Sequence, residues 1–199
     1  MKPLKRIFES REAVFAGFLI ATLGAGCVTP GGGGTELFNG KNLDGWEVTD
    51  FAGGGAIKVK DGEIHMAMGE LISGINLAHE NIPRTNYELE AEAMKLDGND
   101  FFCGLTFPVG DTFASFIPGG WGGTVVGLSS IDGMDAAENE TATFKQFKTH
   151  QWYHFRVRVT PGKIQCWVDD EMVVDLLLED RAIALRAGPI ELSVPIGIT

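Results

Sequence analysis

Residues 87–93, Tyr-Glu-Leu-Glu-Ala-Glu-Ala, decide the fold class of this chain. Because successive side chains of a strand point to opposite faces, an extended segment here carries its tyrosine, leucine and alanines on one face. The three glutamates then lie on the other face. A strand with one apolar and one charged face is typical of an antiparallel sheet that is buried on one side. The stretch therefore predicts an all-β domain.

The segments around this strand carry the same kind of signal. Asp61-Gly62 separates two alternating segments and predicts a tight hairpin, since both turn positions accept a positive φ. Residues 101–107 predict a more apolar, central strand that ends at Pro108. Two successive hairpins are predicted between residues 152 and 175.

A long irregular segment is predicted over residues 118–143, which include the run Gly-Gly-Trp-Gly-Gly. Loops of this length without secondary structure of their own often carry function. The segment is therefore the first place to look for a binding site.

Length and charge narrow the class of protein. The chain has 199 residues, of which 44% are hydrophobic, and this is enough for one domain with a sizeable core. Its formal net charge is −11, and an acidic surface disfavours binding to a phosphate backbone. Nucleic acid is therefore not expected as a partner, whereas neutral ligands such as sugars are compatible with this charge.

The N-terminus predicts export. Residues 1–26 begin with a basic stretch, continue with an apolar run and end in small residues, which is the layout of a secretory signal peptide. Cys27 follows at the position of a lipoprotein cleavage site, and residues 27–34 predict a Gly-rich tether. We expect a periplasmic or cell-surface lipoprotein whose membrane contact is an N-terminal lipid anchor. Plain secretion and an uncleaved anchor are the alternatives.

Three segments resemble a known family. Residues 37–47 read LFNGKNLDGWE, residues 59–64 read VKDGEI, and residues 86–105 read NYELEAEAMKLDGNDFFCGL. Together they resemble the 3-keto-disaccharide hydrolase domain, over most of residues 35–198. The resemblance implies a two-sheet antiparallel β-sandwich of the concanavalin-like jelly-roll type for residues 35–199.

The chain departs from the family pattern at two places. Residues 124–132 replace the family's Tyr-Glu-x-Gln-Ile-x-Asp strand and keep its terminal acid, Asp132. The sequence also stops at Thr199, where a typical member adds one more strand. We expect either a truncated chain or a dispensable last strand.

The resemblance implies an enzyme that acts on 3-keto-glycosides. In such sugars the keto group acidifies the proton on carbon 2, and its removal by a general base expels the glycosidic oxygen. Water then adds to the product, so that the net reaction is hydrolysis. The alternatives are a non-catalytic carbohydrate-binding module on the same fold, and a structural surface domain.

Five residues are candidates for the site. Asp132 and Glu70 are the candidate catalytic carboxylates, by their place in the family pattern, with a turn residue and a solvated loop acid as the alternative interpretations. Trp121, Asp100 and His65 are candidates for substrate binding. An indole between glycines is a common platform for sugar stacking, and packing against its own loop is the alternative for Trp121. Asp100 alternatively caps its loop, and His65 alternatively fills a structural position on a strand.

No cofactor is firmly implied. A divalent metal could stabilise the enolate, and the acidic residues 135–140 could bind calcium or form a solvated run. Cys103 and Cys166 are either a disulfide or two buried thiols. Arg156 and Arg158 either meet an anionic ligand or pair with the glutamate face of residues 88–92, and we favour the second.

Overall fold

The protein is an assembly of short strands. The computed structural model describes the backbone of residues 12–16 and 20–23, and residues 34–79 and 81–199. In chain order its strands are β1 (Glu12–Ala16), β2 (Ile20–Leu23), β3 (Thr35–Glu36), β4 (Trp46–Val48), β5 (Ile57–Lys60), β6 (Glu63–Ala67), β7 (Ile75–Leu77), β8 (Tyr87–Met94), β9 (Leu105–Val109), β10 (Thr112–Gly119), β11 (Val125–Ser129), β12 (Thr143–Phe144), β13 (Trp152–Val159), β14 (Lys163–Val168), β15 (Glu171–Leu177) and β16 (Gly197–Ile198). A single turn, α1 (Gly120–Gly123), and a 3₁₀ helix (Pro189–Ser193) complete the described elements.

The strands form two antiparallel sheets. Sheet A has the order β15-β14-β13-β8-β1-β6-β5, with β2 beside β8 and β3 beside β2. Sheet B has the order β12-β11-β10-β9-β16-β7-β4. The two sheets enclose the core, which confirms the predicted all-β sandwich.

The core lies between the inward faces of the two sheets. Phe155 of sheet A meets Phe116 of sheet B with ring centroids 6.4 Å apart, and both side chains are fully buried. Cys103 and Cys166 are buried free thiols, and burial raises the pKa of both. The structure therefore confirms the interpretation of these cysteines as two buried thiols.

The register of β8 against β13 places charges of opposite sign across the outer face of sheet A. In this register Glu88 lies opposite Arg158, and Glu90 lies opposite Arg156. The Arg158 guanidinium forms an ion pair with the Glu88 carboxylate, which is 5% exposed. The predicted pairing of the arginines with the glutamate face is confirmed for this pair.

The local turn predictions are confirmed. Asp61 and Gly62 have φ values of 54° and 85° and join β5 to β6. Asp169 has a φ of 54° between β14 and β15. These turns form where predicted because short polar residues and glycine tolerate the left-handed region.

Two boundary predictions were wrong. The strand predicted over residues 101–107 is β9, which starts at Leu105 and includes Pro108. Proline is tolerated there because β16, on the other side of β9, pairs with Leu105 and Thr106 and stops short of Pro108. The segment predicted as irregular over residues 118–143 contains β11, whose five residues are all buried.

The opening motif, residues 37–47, holds the first loop against sheet B. Its two aromatic residues, Phe38 and Trp46, are buried in the core, and the Trp46 indole donates to the Leu37 carbonyl at 2.7 Å. The Asn39 carboxamide oxygen accepts from the backbone N–H groups of Lys41 and Asn42. The family signature is therefore a folding motif in this chain.

The predicted signal peptide overlaps two described strands. The backbone of β1 pairs with β6 and β8, and that of β2 pairs with β8 and β3. Cys27 and residues 28–33 lie outside the described residues. Cleavage and lipidation stay predictions.

Substitution of Arg158 by Met leaves the buried Glu88 carboxylate without its charge partner. We expect Arg158→Met to lower the free energy of unfolding by about 2 kcal/mol at neutral pH, measured by urea denaturation. The matched control is Lys163→Met, which removes an ion pair with Asp175 in which both side chains are well exposed. That variant should change the free energy by less than about 0.5 kcal/mol. Equal effects of the two substitutions would contradict the assignment.

Candidate functional site

A cavity of about 410 Å³ opens on the outer face of sheet B. Its size falls within the range of small-molecule sites. Its lining combines residues of strands, of two loops, of the turn α1, and of the 3₁₀ helix with the segment before it: Leu71, Ile72, Asp100, Phe101, Ser115, Ile117, Trp121, Ser129, Arg186, Ala187, Pro189 and Ile190.

The floor of the cavity carries the hydroxyl groups of Ser115 and Ser129, which belong to a row of three on neighbouring strands. Thr106, Ser115 and Ser129 lie directly opposite one another on β9, β10 and β11, and all three residues are buried. The Thr106 and Ser115 hydroxyls share a hydrogen bond of 2.9 Å, and the Ser129 hydroxyl donates to the Asp135 carboxylate at 3.0 Å. Since β10 and β11 turn alternate residues toward the core, the serines face outward by register alone.

The segment after β15 folds back over this face and forms one wall. The backbone N–H of Ser130 donates to the Ala184 carbonyl at 2.7 Å, and the N–H of Ala184 donates to the Ser130 carbonyl at 3.1 Å. Closer to the C-terminus, a Cβ on Gly197 would lie 2.3 Å from the Ser193 carbonyl oxygen. Glycine is therefore required at residue 197 for this wall to approach the sheet.

Trp121 and Arg186 stand together at the mouth of the cavity. Trp121 is 40% exposed, and its backbone has a φ of 48° in the turn α1. The Arg186 guanidinium lies 5.8 Å from the centroid of its ring and 3.3 Å from the Asp135 carboxylate. Asp135 therefore joins the arginine to the hydroxyl floor.

Asp100 supplies the acidic group of the cavity. Its side chain is exposed, and its Oδ1 atom accepts from the backbone N–H of Phe101 at 2.8 Å. The loop that carries Asp100 is held from below by the buried Lys95, whose Nζ donates to the Asp100 backbone carbonyl at 3.1 Å. Burial lowers the pKa of the Lys95 ammonium, and the nearby charges of Asp100 and Asp97 partly offset that effect.

The structure brings two of the five predicted site residues together, since Asp100 and Trp121 line the same cavity. Glu70 is exposed on the adjoining loop, where its side-chain carbons lie against Gly53 and its N–H donates to the Gly53 carbonyl. His65 lies on the outer face of sheet A, with its Nε2 atom 3.5 Å from Glu63. Neither residue is part of the cavity lining.

Asp132 occupies a turn with a φ of 53° outside the cavity lining. Both of its carboxylate oxygens are engaged, one by the Ala182 N–H at 2.8 Å and the other by Arg181. The Ala182 N–H is the main cause of the lowered pKa of this carboxyl, and Arg181 adds to the effect. Asp132 therefore ties its turn to the returning segment, and its catalytic role stays a prediction.

The acidic stretch 135–140 is a folded loop in the structure. Asn139 is buried, and its Nδ2 donates to the Leu128 carbonyl at 2.8 Å. Its Oδ1 accepts from the backbone and the hydroxyl of Thr141. The interpretation of this stretch as a solvated run was therefore wrong for Asn139.

Three polar residues of the cavity were not identified as candidates from the sequence. Ser115 and Ser129 become neighbours through strand register, and Arg186 arrives from a segment more than 50 residues beyond β11. A search for alternating small polar residues on neighbouring apolar strands would have found the serines.

The described residues contain no group of three or more His, Cys, Asp or Glu side chains placed to hold a metal ion. Because the cavity lining presents one carboxylate, Asp100, its donor set does not fit a tight divalent-cation site. Within residues 12–16, 20–23, 34–79 and 81–199, no helix is long and apolar enough to cross a membrane.

Comparison with family models adds the decisive observation. The model of the 3-keto-alpha-glucoside-1,2-lyase-like domain matches residues 33–195. The chain belongs to this family. The match covers the opening motif, strands β3 to β15 and the residues that line the cavity, so the suspected family is confirmed. A search of curated proteins found no match. The family description points to lyase or hydrolase chemistry on 3-keto-glycosides.

The contacts of Asp132 predict a pH-dependent contribution to stability. A carboxyl whose pKa is lower in the folded state stabilises the fold above its unfolded pKa, which is about 3.9. That contribution disappears as the pH falls through the folded pKa. We therefore expect Asp132→Asn to lower the thermal midpoint at neutral pH, and the difference from the wild type to shrink in acid. Unfolding of both proteins between about pH 2 and pH 7 measures it, and a constant difference would contradict the assignment.

Proposed function

We propose that this protein cleaves 3-keto-glycosides by eliminating the glycosidic oxygen, and that the cavity on sheet B is its active site. The observation that carries the proposal is the exposed Asp100 carboxylate in a cavity with a hydroxyl floor and a Trp121–Arg186 mouth. Membership of a family described as 3-keto-alpha-glucoside-1,2-lyase-like supports the choice of reaction.

The reaction begins with removal of the proton on carbon 2. The keto group at carbon 3 makes this proton acidic, and the electron pair of the broken C–H bond forms an enolate. When the enolate collapses, the electrons form a double bond between carbons 1 and 2. The bond from carbon 1 to the glycosidic oxygen then breaks, and the leaving alkoxide takes up a proton. A hydroxyl-bearing unsaturated keto-sugar and a free alcohol are the products.

Asp100 is the residue suited to remove the proton. Its side chain is exposed at the cavity, and the structure shows one of its oxygens engaged by the Phe101 N–H. A positioned carboxylate of this kind contributes about 10² to 10⁴ to the rate. The protonated Asp100 can return the proton to the leaving oxygen, so that the carboxylate is regenerated in the same turnover.

Arg186 and Trp121 supply the binding interactions. The Arg186 guanidinium carries the positive charge that the developing enolate oxygen needs, and Asp135 orients it. Trp121 offers an exposed indole face on which a pyranose ring can stack. Ser115 and Ser129 on the floor are placed to exchange hydrogen bonds with sugar hydroxyls. Addition of water to the unsaturated product would complete a net hydrolysis.

A carbohydrate-binding module is the second candidate function. The observation that favours it is the single carboxylate in the cavity lining, because many glycoside-cleaving sites use two. The same stacking and hydrogen-bonding groups would bind a sugar without cleaving it. Measurement of turnover separates the two functions.

If Asp100 is the general base, its replacement should abolish most of the turnover. We expect Asp100→Asn to lower kcat for methyl 3-keto-α-glucoside at least about 100-fold, because the amide cannot accept the proton. The dissociation constant of the glycoside should change little, since the amide keeps the shape of the side chain. Methanol release measures the first quantity and calorimetry the second.

Matched acid-to-amide controls are available at the two other candidate carboxylates. Assayed below the lowered thermal midpoint of Asp132→Asn, the variants Asp132→Asn and Glu70→Gln should keep kcat within about threefold of the wild type, because neither residue lines the cavity. Loss of turnover in one of these variants, with Asp100→Asn active, would move the base to that residue. Saturable binding without turnover in the wild type would make the protein a binding module.

The exposed indole predicts a separate effect on binding. Trp121→Gly removes the stacking face, while glycine accepts the left-handed backbone of this position. We expect the dissociation constant for methyl 3-keto-α-glucoside to rise roughly tenfold. The thermal midpoint should stay close to that of the wild type. A lower midpoint with unchanged binding would show that Trp121 serves the fold instead.

A further inference from the structure

A second, smaller cavity lies beside the first. Its volume is about 180 Å³, and its lining is dominated by six apolar side chains, those of Met66, Met68, Leu71, Ile72, Phe101 and Phe102. Two of these, Met68 and Leu71, are 58% and 77% exposed. Exposed apolar side chains around a cavity are a mark of an interaction site, and a ligand-binding groove is one kind of such site.

The two cavities adjoin each other. Both are lined by Leu71, Ile72, Asp100 and Phe101. A ligand that occupies both therefore passes Asp100, the proposed base, at the junction. Because the base acts next to the bond that breaks, the sugar and its leaving group would lie on opposite sides of this residue.

The two hydroxyl groups of the smaller cavity are engaged within the protein. The Ser73 hydroxyl donates to the Ala67 carbonyl and accepts from the Gly55 N–H, both at 2.8 Å. The Thr199 hydroxyl donates to the Gly104 carbonyl. Polar contacts to a ligand in this cavity would therefore fall mainly to Asp97, Asn99 and Asp100, while the rest of the lining is largely apolar.

The size of the smaller cavity suits one carbon ring. An apolar cavity of about 150 Å³ holds a benzene molecule, and the cavity here is of similar volume. Two acidic residues, Asp97 and Asp100, also line it. Their charge disfavours an anionic group at this place.

We propose that the smaller cavity is the subsite for the leaving group, and that it takes a neutral, apolar aglycone of about one six-membered ring. This inference rests on the proposed function, since the larger cavity must hold the keto-sugar. It narrows the substrate class from 3-keto-glycosides in general to those of hydrophobic alcohols.

The test compares leaving groups of similar acidity, so that differences in KM and kcat/KM report on binding. The full chain is assayed with methyl, cyclohexyl and 4-carboxycyclohexyl 3-keto-α-glucosides. We expect kcat/KM for the cyclohexyl glycoside to exceed that for the methyl glycoside about tenfold or more. The carboxylated glycoside should lose this advantage.

Variants at exposed apolar residues locate the effect. Met68→Ser should reduce the preference for cyclohexyl over methyl at least about threefold. It should leave kcat/KM for the methyl glycoside unchanged, because Met68 lines the smaller cavity and not the larger one. The matched control is Leu177→Ser on β15, which removes an equally exposed side chain outside both cavities. It should leave the preference unchanged.

The outcomes separate the two proposals. Turnover with equal kcat/KM for methyl and cyclohexyl glycosides would overturn the subsite and leave the proposed function standing. If no glycoside is turned over, the proposed function fails, and addition of cyclohexanol tests the subsite by itself. Shifts of the Met66 and Met68 methyl resonances would then show that the smaller cavity binds a neutral six-membered ring without a leaving-group role, and their absence would overturn the subsite altogether.

Discussion

The pairing of β8 with β13 is the interaction on which the rest of the structure depends. Eight residues of each strand face each other in one antiparallel register. A slip of one residue would turn Leu89 and Val157 to solvent and the glutamates and arginines to the core. The ion pair between Glu88 and Arg158 adds a second reason for this register, since a buried carboxylate needs its partner. This register fixes which side chains of sheet A face sheet B.

Features that depend on neighbouring residues were predictable from the sequence. The Asp61-Gly62 turn and the alternation of residues 87–93 are local, and the structure has both as expected. The opening motif was also recognisable, and the side-chain hydrogen bonds of its Asn39 span at most three residues. Such features need no knowledge of the rest of the chain.

The site was predictable only in part, because it is assembled from distant segments. Asp100 and Trp121 were identified by residue type and loop context, and they do share a cavity. The partner of Asp132 is Arg181, which lies 49 residues further along the chain. The residues next to Asp132 in the sequence therefore do not reveal that it contacts the wall of the cavity. The hydroxyl row follows from the pairing of three strands, and a single sequence does not show which strands are adjacent.

The wall of the cavity has a consequence for the biogenesis of the site. Ser130 and Ala184 exchange two backbone hydrogen bonds across more than 50 residues, and Arg186 follows directly. Because a chain emerges from the ribosome with its N-terminal side first, the hydroxyl floor is synthesised before the wall that covers it. Contacts of such long sequence separation also form slowly. Until residues 182–198 are synthesised, the serines of β10 and β11 lack their cover and sheet B lacks β16, so a nascent protein at this stage has neither a complete sandwich nor a closed cavity.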